Sequence, residues 1–431
     1  MTARRFAILA LFFLSIATQV AAQQLFVTPV LNGTPPGQPP NGVSFRQMCL
    51  TPQSWPTAWA RMSAFGPAIQ FYNELSDAEL TQCFNNLRNA GKQLIVAVAP
   101  LRSFCQTGQQ CFNDWYPTML RIAGLNPPSV IVEFDEPLTR GGYQNNVPYV
   151  VAQTVDYIRL LRQLAPGIPI MLDEGYPSTD YVTLGSFVQQ VNAGAIAQTG
   201  VGIQYFTLDH DWSAGGSFGE ITALRDYVRS IGVQFGVLFW KSGYVNWEAG
   251  LMQQGQNYKN NNINPDFAFV SNFVGVPETS LPETLPGTYA RSLRQFVNVY
   301  LPAPTATNGL TSNAYLLPNE YRDSVDGRFR LQYQGDGNLV LSRKSDGFVL
   351  WSTQTQTSPS IAGGAWMQGG DGNFVVYNYV NGNYVWSGWA SNTSSSANAG
   401  AYLVVQSDSN VVIYRGTTPI WQRPNFVSGQ Y

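Results

Sequence analysis

Gln406, Asp408, Asn410, Val412 and Tyr414 stand at every second position of the tract 406–414. Alternate side chains of a β-strand share one face, so this spacing predicts a continuous strip along a single strand. The strip offers an amide, a carboxylate, a second amide, an apolar methyl surface and a phenol. Such a set can read the hydroxyls of a sugar while its apolar member rests against the carbon face of the ring. A second set, Gln334, Asp336, Asn338 and Val340, has Ser342 in place of the phenol. In a third, Asp371, Asn373, Val375 and Tyr377 are present, but Gly369 occupies the glutamine position and Gln368 is displaced by one. On a strand, such a displacement turns a side chain to the opposite face, so Gln368 would need a bulge to take part. The set at 406–414 is therefore expected to be complete and the other two impaired. In those two, the Asp-Gly-Asn triplets at 336–338 and 371–373 also have the chemistry of plain turns.

A different chemistry is suggested by acids that close apolar runs earlier in the chain: Glu74, then Glu133, Asp135 and Glu136, then Asp173 and Glu174, then Asp209 and Asp211. Paired carboxylates can cleave a glycosidic bond, one protonating the leaving oxygen while the other serves as base or nucleophile. Glu136 ranks first as the acid, followed by Glu174 and Asp209. Tyr205, Trp212, Trp240 and Tyr244 could stack on sugar rings. Charged groups facing a helical layer are costly, so Glu133 and Asp135 are expected to share an inward face. The competing reading is structural, because strand-end acids also cap helices or pair with arginines, and Arg140 lies near Glu136. His210, the chain's single histidine, could carry a proton between Asp209 and Asp211, but a hydrogen-bonded structural role is the more frequent one. No Ser-His-Asp order or dense histidine cluster supports other hydrolase or metal chemistry, and no metal or cofactor is expected.

These acids need a frame. Strand-like runs at 25–31, 68–74, 93–100, 129–136, 168–174, 202–209, 234–241 and 266–273 alternate with helix-like stretches, which predicts a (β/α)8 barrel over 23–300. An open doubly wound sheet is the main alternative, but no glycine-rich phosphate loop follows the first run. One helix is clearly signalled: Ser76 and Glu79 form a capping box, Leu80, Cys83, Phe84 and Leu87 share a face, and Gly91 ends it. A proline-bearing tract at 301–309 reads as a linker. Beyond it, Trp351, Trp386 and Trp421 recur every 35 residues, marking a repeated all-β domain over 310–431 whose tryptophans should form a shared core.

Residues 1–22 have the pattern of an export signal, with Arg4 and Arg5 before an apolar run and small residues at Val20-Ala21-Ala22. The expected location is extracellular, or periplasmic in a bacterium. No later run is long enough to span a membrane. Four cysteines, Cys49, Cys83, Cys105 and Cys111, suggest two disulfides. Of three possible pairings, Cys49–Cys83 with Cys105–Cys111 is the one chosen. A formal net charge of −2 gives no reason to expect a nucleic-acid partner.

With its Gln-x-Asp-x-Asn-x-Val-x-Tyr motif, the tract 310–422 resembles the bulb-type mannose-binding lectin domain. The resemblance implies three four-stranded sheets packed as a β-prism (β-prism II). It also implies mannose-containing glycans or polysaccharide as partner. Asp408 and Asn410 would bind the axial 2-hydroxyl, Gln406 the neighbouring hydroxyl and Tyr414 the 4-hydroxyl, with Val412 against the ring. The segment Phe134-Asp135-Glu136-Pro137 is similar to the fourth-strand acid/base segment of the large barrel glycoside hydrolase clan, whose usual form is Asn-Glu-Pro. That clan carries its nucleophilic glutamate at the end of strand seven. Here that position reads Phe239-Trp240-Lys241, and Glu248 lies further along. The two expectations are a secreted, glycoside hydrolase-like barrel held on mannose-containing glycans by a lectin domain, and a non-catalytic secreted lectin with an inactive barrel scaffold.

Overall fold

The computed structural model describes residues 23–30, 43–240, 247–272, 280–301, 308–427 and 429. The expected signal at 1–22, Lys241, Tyr244 and most of the linker lie outside the described residues. Eight parallel strands close a barrel in sequence order. They are β1 (Gln24–Val30), β2 (Ala64–Phe65), β3 (Gln93–Val98), β4 (Val130–Asp135), β5 (Ile170–Tyr176), β6 (Tyr205–His210), β7 (Gln234–Phe239) and β8 (Phe267–Asn272), with β8 pairing back onto β1. Helices separate them, so the N-terminal domain is TIM-barrel-like.

Seven strands fall on the expected runs; the second does not. Residues Ile69–Glu74 form a 3-10 helix instead, and the strand is the shorter Ala64–Phe65. Gly66 passes so close to β3 that a Cβ there would meet the Ile95 carbonyl oxygen at 2.0 Å. Pro67 then has no N–H to extend the ladder. Tyr72 turns inward and donates its hydroxyl to the Ile95 carbonyl.

The helix Asp77–Asn89 carries the capping box in full and buries Leu80, Cys83, Phe84 and Leu87. Gly91 follows at φ +66°. Cys49 bonds Cys83 and Cys105 bonds Cys111, the pairing chosen from sequence. Two disulfides are consistent with an extracytoplasmic environment. Among the described residues no helix is long and apolar enough to cross a membrane.

The floor of the barrel lumen is apolar: Phe26, Ile95, Ile131, Met171, Tyr205 and Phe267 pack there among others. The larger core lies between the strands and the helices. Tyr205 thus belongs to the floor, not to a sugar-facing rim.

Among its described residues the C-terminal domain has twelve strands: β9 (Gly309–Leu310), β10 (Tyr315–Leu316), β11 (Tyr321–Asp323), β12 (Phe329–Tyr333), β13 (Leu339–Arg343), β14 (Val349–Ser352), β15 (Ala362–Met367), β16 (Phe374–Val380), β17 (Asn383–Ala390), β18 (Tyr402–Val405), β19 (Val411–Arg415) and β20 (Thr418–Gln422). They make three four-stranded antiparallel sheets, ordered β11-β12-β13-β14, β10-β15-β16-β17 and β20-β19-β18-β9, consistent with a β-prism-type arrangement. The first strand of the domain thereby completes the sheet of the last repeat.

The expected tryptophan core is corrected at one position. Trp351, Trp389 and Trp421 meet pairwise at 5.5–6.0 Å between ring centroids, whereas Trp386 is 61% exposed. The reason is a bulge. Val375 faces Ala390 but Tyr377 faces Trp386, so the extra residues of β17 move the inward phase from Trp386 to Trp389.

The last barrel helix, Tyr289–Tyr300, packs against the second of these sheets. Its buried Arg294 pairs with Glu283 of the barrel and Glu320 of the C-terminal domain. The guanidinium also lies 3.8 Å from the Tyr315 ring centre.

Candidate functional sites

Strand β4 alternates Ile131, Glu133 and Asp135 toward the lumen, above its apolar floor. Asp135 is the register partner of Asp173 on β5, and Asp173 of Thr207 on β6, two residues before Asp209. Glu133, Asp173 and Asp209 are all buried. Glu133 Oε2, Asp173 Oδ1 and Asp209 Oδ1 have no hydrogen-bond partner among the described residues. Burial, reinforced by the neighbouring carboxylates, pushes Glu133 and Asp173 well above the usual carboxylate range. Asp209 is pushed up to about 8, first by burial and then by the charge of Glu136, against the opposing pull of Arg140.

Glu136 follows β4 at φ 45°, a left-handed conformation rare outside glycine and asparagine. Its N–H donates to the Asp173 carbonyl at 3.0 Å. Its carboxylate rests over Gly175, where a Cβ would come within 2.8 Å of Oε1; the glycine makes the space. Glu136 is 3% exposed and ion-paired with Arg140. Burial outweighs that arginine and raises the carboxyl to about 7.

Glu174 lies elsewhere. It points away from the lumen and accepts the N–H groups of Leu138 and Thr139 at 2.7 and 2.9 Å and the Thr139 hydroxyl at 2.7 Å. It therefore caps the short helix Pro137–Arg140, although burial still raises it to about 8. The structure brings Glu136 and Asp209 to one mouth and leaves Glu174 in a structural role.

His210 is also structural. Its Nε2 lies 2.9 Å from the Gly215 carbonyl and its Nδ1 3.0 Å from the Tyr258 hydroxyl. A carbonyl can only accept, so Nε2 carries the proton and Nδ1 accepts from Tyr258. Burial lowers its pKa and keeps it neutral. Trp212 packs on this imidazole at 4.2 Å, and Asp211 is engaged by Ser213. Arg102, whose Nη2 bonds Asp135 at 2.6 Å, had no signal in the spacing of the sequence. Among the described residues no group of three or more acids, histidines or cysteines is placed to hold a metal ion.

The three Gln/Asp/Asn/Val sets are built on hairpins, which corrects the single-strand strip. Val412 and Tyr414 lie on β19, but Gln406, Asp408 and Asn410 belong to the connection from β18. The Gln406 N–H donates to the Asn410 carbonyl at 2.8 Å, and the Asn410 N–H to Asp408 Oδ1 at 2.9 Å. Ser409 turns the chain at φ 74°. The five side chains are gathered by a turn, and Gln406 Nε2 meets the Tyr414 hydroxyl at 2.8 Å.

The same turn recurs with one difference. Gln334 N–H closes onto the Asn338 carbonyl, but Gln368 N–H closes onto that of Asn373, five residues on instead of four. The second loop is one residue longer, and this absorbs the displacement of Gln368. Gln368 Nε2 donates to the Tyr377 hydroxyl at 2.7 Å, matching the Gln406–Tyr414 bond. The glutamine expected to be misplaced is in position.

The asparagines are held in two ways. Asn338 Oδ1 accepts from the Thr353 hydroxyl and Thr355 N–H, and Asn373 Oδ1 from the Ser391 hydroxyl and Thr393 N–H. Asn410 instead donates to Gln422. Val340, Val375 and Val412 are buried beneath their sets.

No family model matches the sequence, and no curated protein matches it. Among solved structures, a monomeric monocot mannose-binding lectin from Gastrodia elata is 31% identical over 28% of this chain and 98% of its own, at a TM-score of 0.23. A domain-swapped lectin dimer from Mycobacterium smegmatis is 33% identical over 26% of this chain and 95% of its own, at 0.15. D-psicose 3-epimerase from Clostridium cellulolyticum H10 is 12% identical over 65% of this chain and 99% of its own, at 0.39. By its own strand order and register, the chain joins a TIM-barrel-like N-terminal domain to a C-terminal domain of lectin-like sheet topology.

Proposed function

We propose that this is a secreted glycan-binding protein that holds mannose-type sugars at two sites, one built by Gln368, Asp371, Asn373, Val375 and Tyr377, the other by Gln406, Asp408, Asn410, Val412 and Tyr414. The observation that carries this reading is the matching glutamine–tyrosine hydrogen bond at both hairpins. Turn formation needs neither side chain, so the pair is in place for a ligand. Each site presents a fixed amide, a carboxylate and a phenol over a buried valine. A sugar lacking the axial 2-hydroxyl would leave the Asp–Asn pair of each site without that partner and should bind more weakly. The set at Gln334, Asp336, Asn338 and Val340 lacks the phenol and is the weak member. A glycan array comparing the native chain with Gln368→Ala and Gln406→Ala tests the assignment. Loss of mannoside binding in the double variant is expected; undiminished binding would remove both sites.

A second reading adds catalysis in the barrel and is favoured by the buried oxygens of Glu133, Asp173 and Asp209 that lack a partner among the described residues, beside a Glu136 paired with Arg140. Acids kept protonated near neutrality by burial are poised to give a proton, and such groups gather at functional sites. Glu136 would protonate a glycosidic oxygen, and Asp209, raised further still, would serve as the second group of the pair once it has lost its own proton. Sugar release from polysaccharides by the native chain, lost in Glu136→Gln, is the expected result. Equal release by both would take Glu136 out of the reaction.

A further inference from the structure

On one side of the barrel mouth, between the ends of β2, β3 and β4, lies a cavity of about 320 Å3. Gln70, Arg102, Phe104, Trp115 and Asp135 line it, over a floor that includes Ala97. We propose that this cavity is a further saccharide site, separate from the two hairpin sites, which takes a neutral sugar unit. The inference rests on the reading of the chain as a glycan-handling protein, but it uses none of the C-terminal residues.

The polar groups are built in place. Arg102 donates from Nη2 to Asp135 Oδ2 at 2.6 Å and from Nη1 to the Leu101 and Glu136 carbonyls at 3.2 and 3.1 Å. It cannot swing away without breaking these bonds. Asp135 is the exception among the lumen acids: its side chain is 38% exposed, whereas Glu133, Asp173 and Asp209 are buried. Its Oδ1 takes no side-chain bond from the described residues and is free to accept one from a ligand.

The aromatic groups are placed as firmly. Residues 102–105 form a tight turn in which Arg102 and Cys105 exchange backbone hydrogen bonds at 3.1 Å, and the Cys105–Cys111 disulfide anchors it. Phe104 sits on this turn, 62% exposed, beside Trp115 from the helix Gly108–Gly124. An exposed phenylalanine on a doubly fastened turn contributes nothing to the core; it contributes a flat apolar wall to the cavity.

These features select the ligand class. Small-molecule sites enclose roughly 300–1,000 Å3, so this one has room for a single small unit and not for a long chain. The Arg102–Asp135 pair is neutral as a whole and offers no net positive charge to hold a carboxylate or phosphate. A hydroxyl can donate to Asp135 and accept from Arg102 at once. The apolar walls suit the carbon face of a pyranose. Uncharged, hydroxyl-rich rings meet all of these conditions; anionic sugars do not.

The test uses the full chain carrying Gln368→Ala and Gln406→Ala, so that the hairpin sites are disabled. Tryptophan fluorescence is titrated with mannotriose, cellotriose and glucuronic acid. At least one neutral trisaccharide should change the emission, and glucuronic acid should not. Adding Phe104→Ala, a surface change that leaves the fold intact, should weaken that response about tenfold, and Trp115→Phe should abolish the signal. No response to either trisaccharide, or one unchanged by Phe104→Ala, overturns the proposal. Mannose binding by the native chain is a separate readout, so failure of the hairpin sites and failure of this cavity are told apart.

Discussion

Gln368 and Gln406 occupy the same place in two hairpins although their distances along the chain to the following asparagine differ by one. A strand period cannot accommodate that difference, but a turn can, because an added loop residue leaves the closing bond to the asparagine carbonyl intact. This is why Gln368 reads as displaced in the sequence and yet meets Tyr377 in the structure. The acids at the barrel mouth show the opposite case. Glu133 and Asp135 are legible from strand alternation, and Asp173 and Asp209 as acids that close strand-like runs, but the burial of Glu136 over Gly175 depends on side-chain placement. Their raised pKa values have a measurable consequence. Glu136 titrates near 7 and Asp209 near 8 in the fold, but near 4 once unfolded. Between these limits the folded chain holds more protons, so its stability falls as pH rises from about 4 through about 8. Thermal melts should give a lower Tm at pH 8 than at pH 5. Asp209→Asn should flatten that slope, and an unchanged slope would contradict the buried, protonated acid.

At the scale of elements, the capping box at Ser76 and Glu79 and seven of the eight barrel strands follow from period and cap chemistry. The second strand and the third core tryptophan do not. Pro67 and the close pass of Gly66 against Ile95 cut the second strand short. A bulge on β17 gives Trp389 the place that the 35-residue period assigns to Trp386. Both are contact effects that a period cannot carry. Two substitutions probe the elements that frame the mouth. Glu174→Ala strips three donors at the start of the helix Pro137–Arg140 of their acceptor and should destabilise the barrel by about 1–3 kcal/mol, seen as a lower urea midpoint. Gly175→Ala places a methyl group against Glu136 and the Thr139 side chain. Overpacking of this kind costs about 1–3 kcal/mol, and the displaced Glu136 should titrate lower. A fully stable Gly175→Ala chain with unchanged titration would contradict this account of the contact.

For the whole molecule, the junction between barrel and C-terminal domain is a buried ionic contact and not a free hinge. Arg294 joins Glu283 on one side to Glu320 on the other, and Asn298 adds a bond to Glu320 at 2.6 Å. Removing one member of such a network leaves unpaired buried charge and costs about 3–5 kcal/mol. Arg294→Met should therefore split a single calorimetric transition into two, and one unsplit transition would contradict a coupled junction. With the domains fixed, a glycan bound at the hairpins as proposed would keep a set relation to the barrel mouth. The central claim is that one chain carries two competent mannose sites, and saturation binding of methyl α-mannoside tests it most directly. Gln406→Ala should keep about half of the native capacity, and the double variant with Gln368→Ala should keep none. Complete loss in Gln406→Ala alone, or full capacity in the double variant, would contradict the account.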